Sequence, residues 1–150
     1  YVVDELKFDQ CIDYKNQDVA AKLKEYCPEG IDVYFENVGG EITKDVSKFL
    51  NKGARVPICG FISKYNSPDI ASEETPFHVL GALKPKPQHR FFVVTEWLNK
   101  FEQTTAILHE YIKSGDIKYR ETITSGFENA PQALRDVLSG KNFGKQIIKI

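Results

Sequence analysis

The residues best suited to chemistry stand where two predicted strands end. The first of these positions offers the side-chain amide of Asn37 and the pair Gly39 and Gly40, and the second offers the thiol of Cys59 and the phenol of Tyr65. The glycine pair has two interpretations, a strand-to-helix turn that needs positive φ or a close approach of the backbone to a ligand. Because ligands bind at the carboxyl ends of the strands in open parallel sheets, we expect a ligand site here.

Nucleophilic and metal-dependent chemistry have weaker support. Cys59 has no histidine near it in the sequence, and a cysteine at the end of a buried strand is more often a small hydrophobic residue. Asp32 and Glu36 lie on one strand, which does not by itself make an acid–base pair. The histidines lack the spacing of metal ligands: His78, His89 and His109. The sequence therefore predicts no metal site.

Two tyrosines are predicted at strand ends or just beyond them. Tyr14 follows a short strand near the beginning of the chain, and Tyr65 lies shortly after the second glycine-terminated strand. Each has two interpretations, packing on the surface or stacking on and hydrogen bonding to a ligand. The residues alone do not choose between them.

A strand–helix–strand pattern positions these groups. β-branched and aromatic residues predict a strand over 31–38, apolar spacing predicts a helix over 41–50, and a second strand is predicted over 54–60. Two strands that end in glycine and are separated by one helix are the unit of a doubly wound parallel sheet. The predicted fold class is therefore α/β, with part of a Rossmann-type sheet.

The remaining chain continues the alternation. Asn16 is the expected N-cap of the first helix, Gly115 the residue that ends the longest helix, and Pro131 the first residue of the last helix. Residues 61–90 are the least regular part, and a loop of this length is usually a lid, a binding loop or disordered. The other strands are predicted at 8–14, 90–96, 120–125 and 145–150, and the other helices at 16–27, 76–83, 97–114 and 128–139.

Composition excludes several classes of protein. The chain has 150 residues, of which 41% are hydrophobic and 27% charged, and its net charge is −1. These values are ordinary for a globular domain, and nothing argues for a nucleic-acid or membrane partner. No apolar run is long enough to span a bilayer. The odd cysteine count, without metal-ligand spacing, favours a reducing, cytoplasmic setting: Cys11, Cys27 and Cys59.

The first residues predict that the chain is part of a longer polypeptide. There is no methionine in it, and Tyr1–Leu6 resembles the second half of an amphipathic helix. There is also no Gly-x-Gly-x-x-Gly sequence and no Walker loop. If the sheet binds a dinucleotide, we expect the phosphate-binding turn to precede Tyr1.

Two blocks of sequence resemble a known family. They are Asp32–Gly40 with Gly53–Asn66, and the tail Gly126–Ala133 with Leu138–Lys145. Both are similar to the zinc-independent branch of the medium-chain dehydrogenase/reductases, which holds prostaglandin reductases, alkenal double-bond reductases and curcumin-reductase-like enzymes. The resemblance covers nearly the whole chain.

This resemblance implies an NADP(H)-dependent reductase of the carbon–carbon double bond in α,β-unsaturated aldehydes and ketones. Hydride goes to the β-carbon of the small-molecule enal or enone, and a proton reaches the α-carbon. The family lacks catalytic zinc. It also implies that residues 1–115 are the later part of the NADP(H)-binding Rossmann domain. Residues 116–150 would supply the closing strand, helix and strand of the substrate (GroES-like) domain.

The resemblance also implies a role for particular residues. Tyr14 would lie near the adenosine ribose and its 2′-phosphate, Asn37 and Gly39 beside the bound cofactor, and Asn142 would reach the cofactor from the C-terminal loop. The segment along the nicotinamide half would be Cys59, Gly60, Phe61, Ile62, Ser63 and Tyr65. Backbone groups of a later strand would hold the nicotinamide carboxamide: Phe92, Val93 and Val94.

The proton donor is open. Some relatives place a tyrosine shortly before the strand at Phe92, but Leu83–Gln88 contains none. Tyr65, a ribose hydroxyl of the cofactor and water are the three alternatives. The glycine-rich turn, the basic residue for the 2′-phosphate and the N-terminal domain also lie outside these 150 residues.

Two other classes of function compete with the reductase. The chain is alternatively a non-catalytic module that dimerises through its sheet edges and binds cofactor weakly, since unpaired edges favour aggregation, domain swapping or a homodimer. It is otherwise a different doubly wound domain, such as a methyltransferase-like fold that binds S-adenosylmethionine. NADPH affinity of the isolated chain separates these alternatives.

Overall fold

The computed structural model describes residues 1–150, which form two compact units, Tyr1–Leu98 and Asn99–Ile150. The first unit has α1 (Val19–Tyr26), β1 (Ile31–Val33), α2 (Gly40–Ser47), β2 (Leu50–Ile58), α3 (Pro76–Ala82) and β3 (Gln88–Phe91). The second has α4 (Phe101–Ser114), β4 (Glu121–Ser125), α5 (Ala130–Leu138) and β5 (Lys145–Lys149). Short 3₁₀ turns lie at 62–64, 70–72, 94–100 and 127–129.

The first unit is built on a parallel sheet of order β1–β2–β3. Val33 pairs with Arg55, and Ile58 pairs with Phe91. Strand β1 is shorter than predicted, but the chain returns to the sheet at Glu36, which bridges to Ile58. The α/β class and the parallel arrangement of the strands are therefore confirmed.

The core of the first unit lies on one face of β2. In its second half the strand buries every second residue, namely Ala54, Val56 and Ile58. Leu80 of α3 packs with Val56 and Ile58 to form the core cluster. Successive side chains of a strand point to opposite faces, so Arg55 and Pro57 face the other side. Arg55 is exposed and Pro57 is half-buried. Within this chain, β2 has only one buried face.

The predicted strand over 8–14 is wrong. These residues pair with no strand, and the Asp13 carbonyl instead accepts hydrogen bonds from the N–H groups of Asn16 and Gln17. An extended segment without a neighbouring strand leaves its backbone groups to find other partners, and a turn supplies them. Tyr1–Leu6 also forms a turn, and not a helix.

The expected N-cap of α1 is also wrong. Asn16 uses its side-chain amide to donate to the Asp13 carboxylate, and Asp18 caps the helix by accepting from the Ala21 N–H at 2.9 Å. An aspartate two residues later competes for the same role and satisfies a free N–H group of the first turn. Helix α3 begins at Pro76, as predicted.

The boundaries after residue 88 differ from those predicted. Strand β3 ends at Phe91, although the Phe92 N–H still bonds to the carbonyl of Ile58, the last residue of β2. The carboxylate of Glu96 then accepts the Val93 N–H, and a 3₁₀ segment occupies 94–100. The expected strand over 92–96 and the expected helix start at Trp97 are therefore wrong.

The second unit contains a two-stranded parallel sheet of β4 and β5, with α5 as the connecting helix. Helix α4 ends at Gly115, whose φ of 80° gives the predicted left-handed cap. Pro131 lies one residue later than expected, in the first turn of α5. Only Ala133 of this unit is a buried apolar residue.

The domain boundary that the family resemblance implies near residue 115 stays a prediction. None of the helices has the length and apolar content that crossing a membrane requires.

Candidate ligand site at the strand ends

The turn after β1 is organised by a buried carboxylate. Glu36 has no solvent-exposed surface. Its Oε1 accepts the N–H groups of Val38 at 2.7 Å and Gly39 at 2.9 Å. Its Oε2 accepts the Tyr34 hydroxyl at 2.9 Å and the Thr43 hydroxyl. A buried acidic side chain is stable only when its oxygens are paired, and here four donors pair them.

The same turn is joined to the segment after β2 by backbone hydrogen bonds. The Glu36 carbonyl accepts the N–H of Cys59 at 2.8 Å. The next two carbonyls, those of Asn37 and Val38, accept the N–H groups of Ile62 at 3.2 Å and Ser63 at 2.9 Å. The two strand-end segments that the sequence singled out therefore lie side by side, and a shift in one moves the other.

The glycine pair adopts the turn that needs positive φ. Gly39 has φ 79° and Gly40 has φ 65°, a region that other residues rarely adopt. A Cβ on Gly39 would also lie 2.8 Å from the Cβ of Phe61. Of the two interpretations of the pair, the conformational one is confirmed, and the approach of a ligand stays a prediction.

Asn37 and Tyr65 converge on Gly60. A Cβ on Gly60 would lie 2.6 Å from the Tyr65 hydroxyl oxygen and 3.0 Å from Asn37 Oδ1. The missing side chain therefore makes the space in which an amide and a phenol meet at the edge of the sheet. Asn37 and Tyr65 are exposed, so both groups are accessible to a ligand.

A row of aromatic rings supports Tyr65. Its ring packs edge-to-face on Phe61 at 5.7 Å between centroids, Phe61 packs on Phe77 at 6.4 Å, and Phe77 packs on Phe91 at 6.2 Å. Edge-to-face pairs at these distances are favourable beyond the area that they bury. The row connects the segment after β2 to α3 and to the end of β3. The phenol is therefore held by three elements of the first unit.

The first two N–H groups of the segment after β3 are already bonded within the first unit. The N–H of Phe92 bonds to Ile58, and the N–H of Val93 bonds to the Glu96 carboxylate at 3.0 Å. The Phe92 ring packs on Phe35 and Trp97 beside a cavity of about 270 Å³. The Val93 carbonyl accepts the Glu96 N–H at 3.1 Å, and the predicted role of Phe92–Val94 toward a carboxamide stays a prediction.

Two expected ligand residues, Tyr14 and Asn142, have neighbours of their own. Tyr14 lines a cavity of about 480 Å³ in which acidic side chains outnumber basic ones, an arrangement that does not favour a phosphate. Its charged lining residues are Asp18, Glu41, Asp45 and Lys48. Asn142 belongs to the second unit, where its amide donates to the Gly144 carbonyl at 2.8 Å. Their predicted roles are untested.

Cys59 is exposed, so the expectation of a buried strand-end thiol is wrong. Its N–H is bound to the Glu36 carbonyl, while the burial of β2 ends one residue earlier at Ile58. All three cysteines are free thiols, and no group of three or more His, Cys, Asp or Glu side chains could hold a metal ion.

Two ionisable groups near the site have shifted pKa values. Burial, followed by the neighbouring Glu36 carboxylate, raises the pKa of Tyr34 far above its ordinary range, so Tyr34 stays protonated and donates. Hydrogen bonds from Lys64 and then Ser67 lower the pKa of Glu73. The Lys64–Glu73 ion pair, at 2.5 Å, closes the loop that follows Tyr65.

Sequence reasoning missed the role of Glu36. It treated Glu36 only as a possible partner of Asp32, whereas Asp32 accepts from Asn51 and Glu36 caps the turn. The sequence carried only a weak signal, because Asp32 and Glu36 both interrupt the apolar strand and only Glu36 lies two and three positions before the N–H groups that it binds. This spacing differs from the N-cap pattern, in which the cap residue's own side chain accepts from the second or third helical N–H.

The chain matches known proteins over almost its whole length. A family model described as "Zinc-binding dehydrogenase" matches residues 6–148. The chain is 36% identical over 153 residues to the NADPH-dependent curcumin reductase of Escherichia coli (strain K12), covering 100% of this chain and 44% of that protein. It is 35% identical over 144 residues to a 2-alkenal reductase (NADP(+)-dependent) of Nicotiana tabacum, covering 95% and 41%.

Solved structures agree with this match. The crystal structure of CurA from Vibrio vulnificus in complex with NADPH superposes with a TM-score of 0.86 and 38% identity, covering 99% of this chain and 45% of that one. The chain therefore spans less than half the length of the relatives that it matches.

Proposed function

The chain belongs to the zinc-binding dehydrogenase family, and from that premise we propose that the whole protein is an NADPH-dependent reductase of carbon–carbon double bonds. Its substrates would be α,β-unsaturated aldehydes and ketones. The observation that carries the proposal is the convergence of the Asn37 amide and the Tyr65 phenol on Gly60 at the carboxyl ends of β1 and β2. The similarity to a curcumin reductase and a 2-alkenal reductase supports the substrate class.

The strand-end residues fit a nicotinamide cofactor. A flat, weakly polar ring with a carboxamide needs apolar surface and a few neutral hydrogen-bonding groups. Ile62 and Val94 are exposed apolar residues near the strand ends, and Asn37 with the carbonyls after β3 supplies neutral partners. We assign the cofactor-binding role to these groups and to Gly39, Gly60 and Ser63.

Tyr65 is the best candidate for binding the substrate oxygen. Its oxygen accepts the Phe61 N–H at 3.3 Å, so the phenolic proton is available for another acceptor. NADPH, when bound, supplies the hydride that adds to the β-carbon. A hydrogen bond from Tyr65 to the carbonyl oxygen stabilises the negative charge that develops there as the double bond shifts. The α-carbon then takes its proton from Tyr65, from a ribose hydroxyl of the cofactor or from water, which completes the reduction.

The experiment is alkenal-dependent oxidation of NADPH by the polypeptide as the cell makes it, with the saturated product identified by mass. For Tyr65→Phe we expect kcat to fall by about 10- to 100-fold while the KM for NADPH stays near the wild-type value, because one transition-state hydrogen bond is lost. Tyr119→Phe, an exposed tyrosine of the second unit, is the matched control. A wild-type protein that binds NADPH but reduces no enal or enone would overturn the substrate class.

The second candidate function is a non-catalytic module that dimerises. The second unit favours it, because Phe127 and Leu134 are 71% and 60% exposed around a cavity of about 470 Å³. Such surfaces are usually covered by another chain or domain. A homodimer in the cytoplasm, where the three free thiols stay reduced, is compatible with either function. Sub-micromolar NADPH affinity in the 150-residue chain would exclude the non-catalytic alternative.

A further inference from the structure

The two oxygens of Glu36 meet different kinds of donor. Oε1 holds the backbone N–H groups of Val38 and Gly39, whereas Oε2 holds the hydroxyls of Tyr34 and Thr43. A hydroxyl can rotate and accept, but a backbone N–H can only donate. The hydroxyl groups at Oε2 can therefore turn to another partner, whereas the two N–H groups at Oε1 need an acceptor in this position.

The Oε1 contacts fix the residues on either side of Asn37. Glu36 itself is held to β2, because its N–H donates to the Pro57 carbonyl at 2.9 Å and its carbonyl accepts the Cys59 N–H. Its side chain then reaches forward to the N–H groups at 38 and 39. Asn37 lies inside this loop of hydrogen bonds, so the direction of its amide follows from the position of the carboxylate.

The carboxylate also lies just before the amino end of α2. Gly39 is the N-cap of this eight-residue helix, and Glu36 accepts the N–H of this residue and of Val38 before it. Unpaired N–H groups at a helix start, together with the helix dipole, attract anions. The negative charge of Glu36 beside this end of α2 is therefore favourable, and it opposes the binding of a second anion at the turn.

We propose that Glu36 is a positioning residue for the cofactor site: through Oε1 it fixes the turn at 37–40 and, through the shared backbone hydrogen bonds, the segment at 59–63. This inference rests on the proposed function for its effect on NADPH. Its effect on the turn itself does not depend on that function, so the two can be tested separately.

The test compares three variants of the polypeptide as the cell makes it. Glu36→Leu keeps the approximate size and removes both acceptors, and we expect the KM for NADPH to rise about tenfold or more while kcat at saturating NADPH changes by less than about threefold. Glu36→Gln keeps a neutral acceptor for the two N–H groups, and we expect a rise of about threefold because a charged acceptor binds N–H more strongly.

Thr43→Val is the matched control, because it removes a partner of the same carboxylate on the Oε2 side only. We expect it to lower the melting temperature and to leave the KM for NADPH within about twofold. A KM that rises as much in Thr43→Val as in Glu36→Gln would overturn the proposal, because the carboxylate would then act through general packing.

Amide hydrogen exchange of the cofactor-free protein gives the second readout. We expect faster exchange at Val38 and Gly39, extending to Cys59–Ser63, in Glu36→Gln and more so in Glu36→Leu, with wild-type rates in Thr43→Val. Unchanged exchange at 38 and 39 in Glu36→Gln would overturn the proposal even if Glu36→Leu does not fold. If the wild-type protein does not bind NADPH, the proposed function fails, and the exchange rates still decide the role of Glu36.

Discussion

The two units of the chain bury their apolar side chains to different extents. The first unit buries Leu23, Val46, Ala54, Val56, Ile58 and Leu80. The second unit buries only Ala133, and its large apolar side chains are exposed along α4, α5 and β4. Each unit nevertheless contains parallel strands and a connecting helix. Secondary structure alone therefore does not decide whether a unit has a core.

The number of strands and covering helices explains the difference. Parallel sheets are normally covered on their faces by helices. Three strands with α2 and α3 give the first unit one covered face, and the strand-end site is attached to it. The second unit has two strands, and of its two helices only α5 makes extensive contact with them, which is close to the lower limit of independent stability. The first unit has enough internal contacts to hold the strand-end site in place. The second unit leaves most of its apolar side chains exposed, so its stability depends on contacts that it does not make by itself.

The largest expected effect comes from matched leucines in the two units. Leu80 is fully buried against Val56 and Ile58, so Leu80→Ala should lower the free energy of unfolding by about 2–5 kcal/mol. Leu134 is 60% exposed, so Leu134→Ala should change it by less than about 0.5 kcal/mol. Urea unfolding, followed by Trp97 fluorescence for the first unit and circular dichroism for the whole chain, measures both. Equal losses would show that Leu134 is buried in solution by self-association.

The features that depend on local hydrophobic pattern and on the order of elements along the chain were predictable from the sequence. The strand, the glycine pair, the helix and the second strand are adjacent in the chain, so the meeting of Asn37 with the segment after Cys59 followed from the rules of parallel sheets. The strand at 8–14 was wrong because a strand depends on a neighbour that sequence patterning does not supply.

Side-chain contacts that redirect the backbone were beyond sequence reasoning. Glu96 captures the Val93 N–H and ends the extended segment, and Glu36 captures two N–H groups and sets the turn. In both cases the hydrophobic pattern of the sequence marks the residue only as polar. In the structure its carboxylate accepts N–H groups that would otherwise bond to a backbone carbonyl. Which carboxylate does so depends on distances that arise only after the strands have paired.

The next expected effect separates the site from the core within the first unit. A Cβ at position 60 would meet the Tyr65 hydroxyl oxygen at 2.6 Å, so Gly60→Ala should displace the phenol and lower kcat/KM for an enal by about tenfold. Gly81→Ala in α3 is the control, because nothing lies within 4 Å of its added Cβ and alanine favours a helix. We expect its kcat/KM to be unchanged and its melting temperature to rise slightly. Equal activity of the two variants would contradict the placement of Tyr65 at the site.

The smallest expected effect concerns the loop after Tyr65, which is the part of the first unit held by an ion pair and not by a core. Lys64 lowers the pKa of Glu73 below its ordinary value of 4.5, so the pair stabilises the loop above that pH. The stabilisation is lost as the pH falls through the lowered pKa of Glu73, because the protonated carboxyl no longer attracts the lysine. Amide exchange and chemical shifts of residues 64–73 between pH 6 and pH 3 (about three units, spanning the ordinary range) should therefore show the loop opening before the core.

The control variants test whether the ion pair is the cause. In Lys64→Ala the pH midpoint of loop opening should move up toward the ordinary pKa of a glutamate, whereas Lys52→Ala, at the other end of β2, should leave this midpoint unchanged. A midpoint that is the same in wild type and Lys64→Ala would show that the backbone turns, and not the ion pair, hold the loop. The buried core would then be the feature that distinguishes the first unit from the second.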